Sequence, residues 1–428
     1  MLWFIVITTP FSLNVKLKEF GIAISLPGEP LMAGILILFV LKLLYDIKVE
    51  KRILFHPITL ALMANLSWIT ITTITSTMPW VSIKFLLARL WFVICFYYFG
   101  ILLFKNKKNI QRYMWAYILP FTIIIFYTLI MHSQYGFTVE TANWIMSPFY
   151  NDHTIYGAIL AMFLPILGYF IYNSEYTFAQ KGISFVFLLI FILALVLSFT
   201  RAAWISLAIA LSIGAIMYFR INFKLLSLVA IIGLGLFFVT KDRILMKLEK
   251  NRQDSSSNLT EHVQSISNIS SDASNLERIN RWSAALRMFE KRPSMGFGPG
   301  TYAFKYAPFQ FSYEKTIIST NAGNKGNAHS EYIGPLAESG VLGLLTFASI
   351  VIAIFYSGIT LYYKMEKSSM RALLLAIMLG LVTYFVHGFL NNFLDTDKAS
   401  VPVWGFAAAI VAIQLYHYKS NESEEIPS

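Results

Sequence analysis

The chain has 428 residues, of which 57% are hydrophobic and only 13% are charged, and its formal net charge is +11. Soluble domains carry roughly 25% charged residues, so this composition excludes an ordinary soluble protein and predicts an all-α, polytopic helical membrane protein. The positive charge favours anionic lipid and phosphate as partners. Nucleic acid is the weaker interpretation, because the cationic residues lie between apolar runs and not along one soluble face. The single cysteine, Cys95, excludes an internal disulfide and a cysteine-based metal site.

Apolar runs long enough to cross a bilayer as helices recur along the whole chain. Twelve spans are predicted, at residues 1–14, 30–46, 56–76, 81–104, 112–132, 153–173, 182–199, 201–219, 223–240, 334–363, 371–391 and 399–418. The first run is short for a span, so whether it crosses the membrane stays open. The seventh and eighth are separated only by the polar stretch 198–201.

Lysine and arginine residues in the connecting loops predict the orientation, because cytoplasmic loops carry the excess of positive charge. The loops on one side hold most of these residues: Lys48, Lys51, Arg52, Lys105, Lys107, Lys108, Arg112, Lys181, Arg220, Lys224, Lys364, Lys367, Arg371 and Lys419. The opposite loops hold Lys16, Lys18, Arg201 and Lys398, with Lys84 near a span end. Both termini are therefore predicted to be cytoplasmic. This gives transmembrane helices 1–9 in residues 1–240, a large outer loop at 241–333, helices 10–12 in 334–420 and a cytoplasmic tail at 421–428.

The large outer loop has two parts of different composition. Residues 241–275 are polar and rich in serine and asparagine, which is typical of a disordered segment or a mobile lid. Residues 276–292 are predicted to form an amphipathic helix, in which Ile279, Trp282, Leu286 and Phe289 recur at helical spacing, and Pro293 ends it.

Three arginines near this loop are candidates for binding an anion. Arg278 and Arg281 lie one turn apart on the amphipathic helix, and two guanidinium groups at this spacing can grip a pyrophosphate. A solvated basic face or a lipid-headgroup contact is the simpler alternative. Arg201 lies at the outer boundary between two apolar spans, where an ionisable group is costly and is a functional hypothesis by default. Its alternative is an ordinary interfacial anchor.

Lys84 and Arg89 share one predicted span and are candidate substrate-binding residues. Lys84 lies near the outer end, and Arg89 lies more than one turn deeper. Arg89 is therefore expected to face a cavity inside the bundle, or else to pair with a buried carboxylate.

A glycine-rich turn follows the amphipathic helix, at residues 296–300. No strand precedes it, so it does not fit the dinucleotide-binding fingerprint. We expect it to shape the entrance of a site, with Gly298 as a candidate substrate-binding residue. A simple helix-ending turn is the alternative.

His329 lies just before the chain becomes apolar again and is a candidate general base, because an imidazole can take a proton from an acceptor hydroxyl near neutral pH. Glu331 or Glu338 could orient it, and plain polar surface is the alternative. Asp395 and Asp397 are the only candidate metal pair, and a weak one. No metal site and no cofactor are therefore predicted.

Together these motifs resemble the O-antigen ligase/polymerase family of bacterial membrane glycosyltransferases. The resemblance is carried by Arg278, Trp282, Ala285, Leu286, Phe289, Pro293, Gly296, Gly298, His329, Glu338, Gly340 and Gly343. The stretch SFTRAAW around Arg201 is also similar to that family. Ser330 stands where asparagine commonly follows the histidine.

The resemblance implies a C-type glycosyltransferase architecture in the bacterial inner membrane, with about twelve spans and one large periplasmic loop. It implies an inverting, metal-independent transfer of a glycan from undecaprenyl pyrophosphate to an acceptor hydroxyl, among membrane lipids and on the periplasmic side. The acceptor is lipid A–core in the ligases and another lipid-linked glycan in the polymerases. Arg201 and Arg278 match the family's pyrophosphate-binding arginines, and His329 matches the histidine assigned as acceptor base.

The sequence does not decide between ligase and polymerase, nor does it specify the sugar, the linkage or the oligomeric state. From a different class, a transporter of lipid-linked sugar would need polar breaks at matching places in two halves, and none is visible. A catalytically inactive scaffold is a third alternative.

Overall fold

We describe a computed structural model of the protein, which covers residues 1–17, 22–46, 50–221, 273–314 and 326–418. In this part of the chain, ten helices are long and apolar enough to cross a membrane. The principal helices are α1 (Leu2–Thr8), α2 (Gly28–Asp46), α3 (Pro57–Ile74), α4 (Pro79–Phe92), α5 (Lys107–Gln134), α6 (His153–Tyr172), α7 (Phe178–Leu197), α8 (Arg201–Tyr218), α9 (Ala273–Lys291), α10 (Ile333–Lys364), α11 (Ser369–His387) and α12 (Asp397–Ala412). The helix α4 continues through a π-helical turn, Val93–Tyr98, into Phe99–Leu103, and α12 continues into Ile413–His417.

The structure confirms a polytopic, helical membrane protein. Ten of the predicted spans each overlap one of the ten long helices. The first predicted span, 1–14, is a short helix, Leu2–Phe11. The ninth, 223–240, lies outside the described residues, as do 241–272 and 315–325 of the loop 241–333 and the tail 421–428. The count of twelve spans is therefore not confirmed.

The three central helices of the bundle are α6, α11 and α12. In their spanning segments 78%, 72% and 83% of the residues are buried inside the protein, against 11% in α2. Tyrosines tie α5 to α12: the hydroxyls of Tyr113 and Tyr117 donate hydrogen bonds to the carbonyls of Val401 and Lys398. The helices that carry the outer loops of the candidate site thus rest on a buried core.

A two-stranded antiparallel hairpin, which the sequence patterns did not predict, follows α1. Strand β1 (Leu13–Leu17) pairs with β2 (Ile22–Leu26), with Leu13 opposite Leu26. The end of α1 is tied to α12 by the buried Lys398, whose Nζ donates hydrogen bonds to the carbonyls of Thr9 at 2.6 Å and Ser12 at 2.9 Å. The short first helix is therefore part of the bundle.

One face of the bundle gathers the connections 75–78, 135–152, 198–200, 326–332 and 388–396. Backbone hydrogen bonds join several of them, for example from Thr77 to Phe297 at 2.9 Å and from Glu331 to Gly388 at 2.8 Å. This is the face that the distribution of positive charge predicts to be outer, and we refer to it as the outer face.

The amphipathic helix predicted at 276–292 corresponds to α9, and part of its apolar stripe is exposed. Ile279 and Leu286 are 38% and 46% exposed, whereas Glu277, Arg281 and Ala285 are buried. The surface that α9 packs against is built from short loops and the start of α10, so small and paired polar side chains fit there.

Candidate active site

The glycine-rich turn and the start of α10 form one packed unit, which we call the glycine clamp (residues 293–300 with 338–341). Within α10, Gly340 has non-helical angles, with φ 70° and ψ −168°. The amide of Val341 donates to the carbonyl of Pro293 at 3.0 Å, and the amide of Gly298 donates to the carbonyl of Glu338 at 2.7 Å. A Cβ at position 340 would lie 2.3 Å from the carbonyl oxygen of Ser294, so the kink requires glycine.

Gly298 lies buried between this kink and the connection from α3 to α4. A Cβ at this position would lie 2.0 Å from the hydroxyl oxygen of Ser76. Beside it, Ser82 donates a hydrogen bond to the carbonyl of Pro299 at 2.8 Å. The turn is therefore a packed support for the outer face, and substrate binding by Gly298 stays a prediction.

Both glutamates that were candidates to orient His329 are hydrogen-bonded to other segments. The carboxylate of Glu338 accepts from the amides of Gly300 at 3.0 Å and Tyr302 at 2.9 Å. The buried Glu331 accepts from the Tyr384 hydroxyl at 2.6 Å. It also accepts from the amides of Phe393 at 2.6 Å and Leu394 at 2.9 Å. These carboxylates brace the loops on either side of His329.

His329 itself has a positive φ of 48°, and its amide donates to the side-chain oxygen of Asn327 at 3.1 Å. The next residue, Ser330, accepts hydrogen bonds from the amides of Tyr332 and Ile333, both at 3.3 Å, at the start of α10. Serine and asparagine are both good helix N-caps. Ser330, which departs from the family pattern, therefore accepts these amide hydrogen bonds as an asparagine at this position could.

Burial, followed by the positive charges of Arg278 and Arg281, lowers the pKa of His329, which comes to about 4. Asp152 and Glu277 act in the opposite direction. The imidazole is therefore neutral at physiological pH and able to accept a proton. Charged residues of two other chain segments, α9 and the residue that precedes α6, thus act on His329 at one point of the outer face.

Arg278 and Arg201 belong to the same cluster. Burial lowers the pKa of Arg278, the charge of Arg201 lowers it further, and Asp152 raises it. Arg278 thus lies within electrostatic reach of both Arg201 and His329, and Asp152 acts on both Arg278 and His329. Asp152 was not predicted as a site residue, although an aspartate before an apolar helical run is a recognisable N-cap signal.

Two helix N-termini meet at this cluster. Asp152 caps α6 by accepting from the amides of Thr154 at 2.8 Å and Ile155 at 3.2 Å. The hydroxyl of Thr200, the residue before α8, donates to the carbonyl of His153 at 2.8 Å. Arg201 is the first residue of α8. Because helix N-termini carry partial positive charge, they add to the guanidinium groups in forming a site for an anion.

Arg281 has a partner within its own helix. Its Nε lies 2.8 Å from the Glu277 carboxylate, and its guanidinium lies 4.5 Å from the centre of the Tyr306 ring. Only 4% of Arg281 is exposed. The structure therefore gives Arg281 a packing role beside the cluster, and direct substrate binding stays a prediction.

Lys84 and Arg89 lie on α4. Arg89 contacts residues other than those of the cluster around Arg278 and His329. The Arg89 guanidinium packs 5.4 Å from the ring centre of Phe85 and 5.9 Å from that of Trp404. Its charge acts on Asp395, whose pKa is raised to about 6 by burial and by Glu331, against the lowering effect of Arg89. Substrate binding by Lys84 and Arg89 stays a prediction.

Among the residues that the structure describes, histidine, cysteine, aspartate and glutamate form no group of three that could hold a metal ion. Asp397 is 2% exposed, and its carboxylate accepts a hydrogen bond from Ser12. The weak Asp395–Asp397 candidate thus has one of its two carboxylates engaged within the protein.

The fold and the site define a multi-pass membrane protein with a cationic, histidine-containing cluster on one face. Residues 185–348 match the family model described as O-antigen ligase. This region contains α8, α9, the glycine clamp and His329. This match supports the assignment to the O-antigen ligase/polymerase family that the motifs predicted, and proteins of that family are in general enzymes of glycan transfer. A search of curated proteins found no match to the chain.

Proposed function

We propose that the chain is an O-antigen ligase-like glycosyltransferase of the bacterial inner membrane. It transfers a glycan from undecaprenyl pyrophosphate to an acceptor hydroxyl, such as one on lipid A–core, without a metal ion and with inversion. The observation that carries the proposal is the meeting of Arg201, Arg278, His329 and two helix N-termini on one face. The low positive charge of that face favours a periplasmic active site.

In the reaction, the acceptor oxygen attacks the anomeric carbon of the donor from the side opposite the pyrophosphate. The bond between that carbon and the phosphate oxygen breaks, and the electron pair leaves with undecaprenyl pyrophosphate. The proton of the acceptor hydroxyl passes to His329. Attack from the opposite side inverts the anomeric configuration.

Arg201 and Arg278 are suited to meeting the negative charge that grows on the departing diphosphate. Guanidinium groups fit phosphate oxygens in a bidentate manner, and charges fixed before the reaction need no reorganisation during it. The bound diphosphate would also offset the cationic field that holds the pKa of His329 low. Donor binding would therefore make the imidazole a stronger base.

The proposal is tested with purified protein in lipid nanodiscs, undecaprenyl-pyrophosphate-linked glycan and either lipid A–core or a second lipid-linked glycan as acceptor. One glycan moved to lipid A–core supports a ligase, and a ladder of lengthening lipid-linked glycan identifies a polymerase instead. Each reaction is repeated with EDTA, and a requirement for divalent metal would contradict the metal-independent mechanism. Movement of the donor across the bilayer without any transfer would identify a transporter.

A further inference from the structure

The face opposite the candidate active site carries a second cationic feature, a cavity of about 570 Å³. It lies where α8 and α10 end and α11 begins. Among the described residues, its charged lining consists of Arg220, Lys364, Lys367 and Arg371 with one carboxylate, Glu366. This leaves a surplus of three positive charges in a single recess.

Arg371 is the most informative of these residues, because no carboxylate among the described residues forms an ion pair with it. It lies in the first turn of α11 and is only 8% exposed. A cation is unfavourable there, since the N-terminal end of a helix carries partial positive charge. Within the described residues its Nε has no hydrogen-bond partner, and the ion pairs found there do not include it. Its guanidinium rests 4.2 Å from the centre of the Tyr362 ring.

A buried guanidinium without a carboxylate partner is costly, and three further cations beside it increase the cost. A bound anion would offset this energetic cost. The planar guanidinium group fits phosphate oxygens best. The simpler explanation, that these cations stabilise helix C-termini, suits Lys364 and Arg220 but not Arg371. Arg220 also has a positive φ of 50° after the end of α8, a position that usually holds glycine.

We propose that this recess binds a phosphate-bearing anion, and that its occupant is the headgroup of an anionic phospholipid. The recess lies at the ends of spanning helices, where the membrane surface is expected. Tyr218 and Phe219, which also line it, are 70% and 71% exposed. Exposed aromatic residues are enriched at membrane interfaces, and basic pockets between spanning helices bind acidic lipid headgroups. The site is separate from the proposed transfer reaction and does not depend on it.

The test is native mass spectrometry of the full-length protein in detergent, titrated with phosphatidylglycerol or phosphatidylcholine. We expect the wild-type protein to retain phosphatidylglycerol preferentially. Arg371→Gln should weaken that binding about tenfold or more, as expected for lost charge-assisted hydrogen bonds. Arg220→Gln should weaken phosphatidylglycerol binding as well. Because Arg220 is exposed, this variant should fold normally, so it tests the recess even if Arg371→Gln does not fold. Arg112→Gln, an exposed arginine near the start of α5 and outside the recess, is the matched control and should bind as the wild type does.

A second arm adds inorganic phosphate to the same titration. If millimolar phosphate displaces phosphatidylglycerol from the wild type but not from the variants, the recess binds phosphate groups, and a soluble phosphate is then an equally suitable occupant. If phosphate does not compete while phosphatidylglycerol binding depends on Arg371 and Arg220, the occupant is the lipid. Equal binding of both lipids, or unchanged affinity in both pocket variants, would overturn the proposal.

Discussion

Gly298 donates its backbone amide to the carbonyl of Glu338 at 2.7 Å, so the glycine-rich turn and the kink of α10 are one structural unit. The side chain of Glu338 extends the same contact to the amides of Gly300 and Tyr302. The unit links α9, which carries Arg278, to α10, whose first turn follows His329. Its rigidity therefore determines how the two predicted catalytic residues face each other.

Replacing Gly340 by alanine should damage this unit. The new Cβ would lie 2.3 Å from a backbone oxygen, and the φ of 70° is strained for any residue with a side chain. We expect Gly340→Ala to cost roughly 1–3 kcal/mol or more of stability and to lower the yield of folded protein. The measurement is thermal unfolding in detergent, followed by tryptophan fluorescence.

Gly182→Ala is the control for this variant, because a Cβ there meets nothing within 4 Å and the residue lies inside α7. Alanine is the better helix former by about 1 kcal/mol, so this variant should melt at or slightly above the wild-type temperature. Equal melting temperatures for the two variants would contradict a structural role for the kink.

Arg278→Gln and Arg201→Gln should each lower the rate of glycan transfer by about 10²–10³-fold, the usual cost of removing one preorganised charge from a reaction site. Lysine at either position should recover only part of the rate, because it keeps the charge but not the bidentate fork. The measurement is the single-turnover rate with saturating lipid-linked donor.

Lys291→Gln serves as the control, since Lys291 is an exposed cation at the end of the same helix as Arg278. It should transfer at the wild-type rate within about twofold, the scatter expected when an exposed surface charge is removed. A wild-type rate in either arginine variant would remove that arginine from the mechanism.

The extent to which sequence predicts this molecule depends on the range of the interactions involved. Each spanning helix is encoded by its own apolar run, so ten helices match their predicted positions. The role of Glu331 could not be predicted, because its partners Tyr384 and Phe393 lie far along the chain. The burial of α9 could not be predicted either, because apolar periodicity shows that a helix has an apolar side but not what covers it.

The pH dependence of transfer should differ between the free protein and its donor complex. Burial, Arg278 and Arg281 hold the pKa of His329 near 4, while Asp152 and Glu277 oppose them. The value of kcat/KM, which reports the free protein, should stay high as the pH falls and decline only as it approaches about 4. A bound diphosphate offsets the arginines, so kcat should decline at a higher pH than kcat/KM does.

The same pKa affects stability, because the unfolded histidine titrates at its ordinary value of 6.5. Between pH 6.5 and about 4 the unfolded chain binds the proton more readily, so stability should fall as the pH is lowered through this window. His329→Gln should lose less stability than the wild type over that range and should transfer slowly at every pH. Identical pH profiles for kcat and kcat/KM would contradict the proposed action of the diphosphate on the imidazole.

Variants of the ion pair between Glu277 and Arg281 can show whether Arg281 serves packing or binds substrate. Both side chains are 5% exposed, so Glu277→Gln leaves a buried charge without its partner and should cost about 3–5 kcal/mol of stability. The double variant Glu277→Leu with Arg281→Met replaces the pair by apolar side chains and should regain most of that loss of stability.

Because the structure gives Arg281 a packing role, we also expect this double variant to transfer glycan within about tenfold of the wild-type rate. This corresponds to an activation barrier higher by no more than about 1.4 kcal/mol. Thermal unfolding and single-turnover transfer are measured on the same preparations, and a stable double variant without transfer would instead assign Arg281 to the diphosphate.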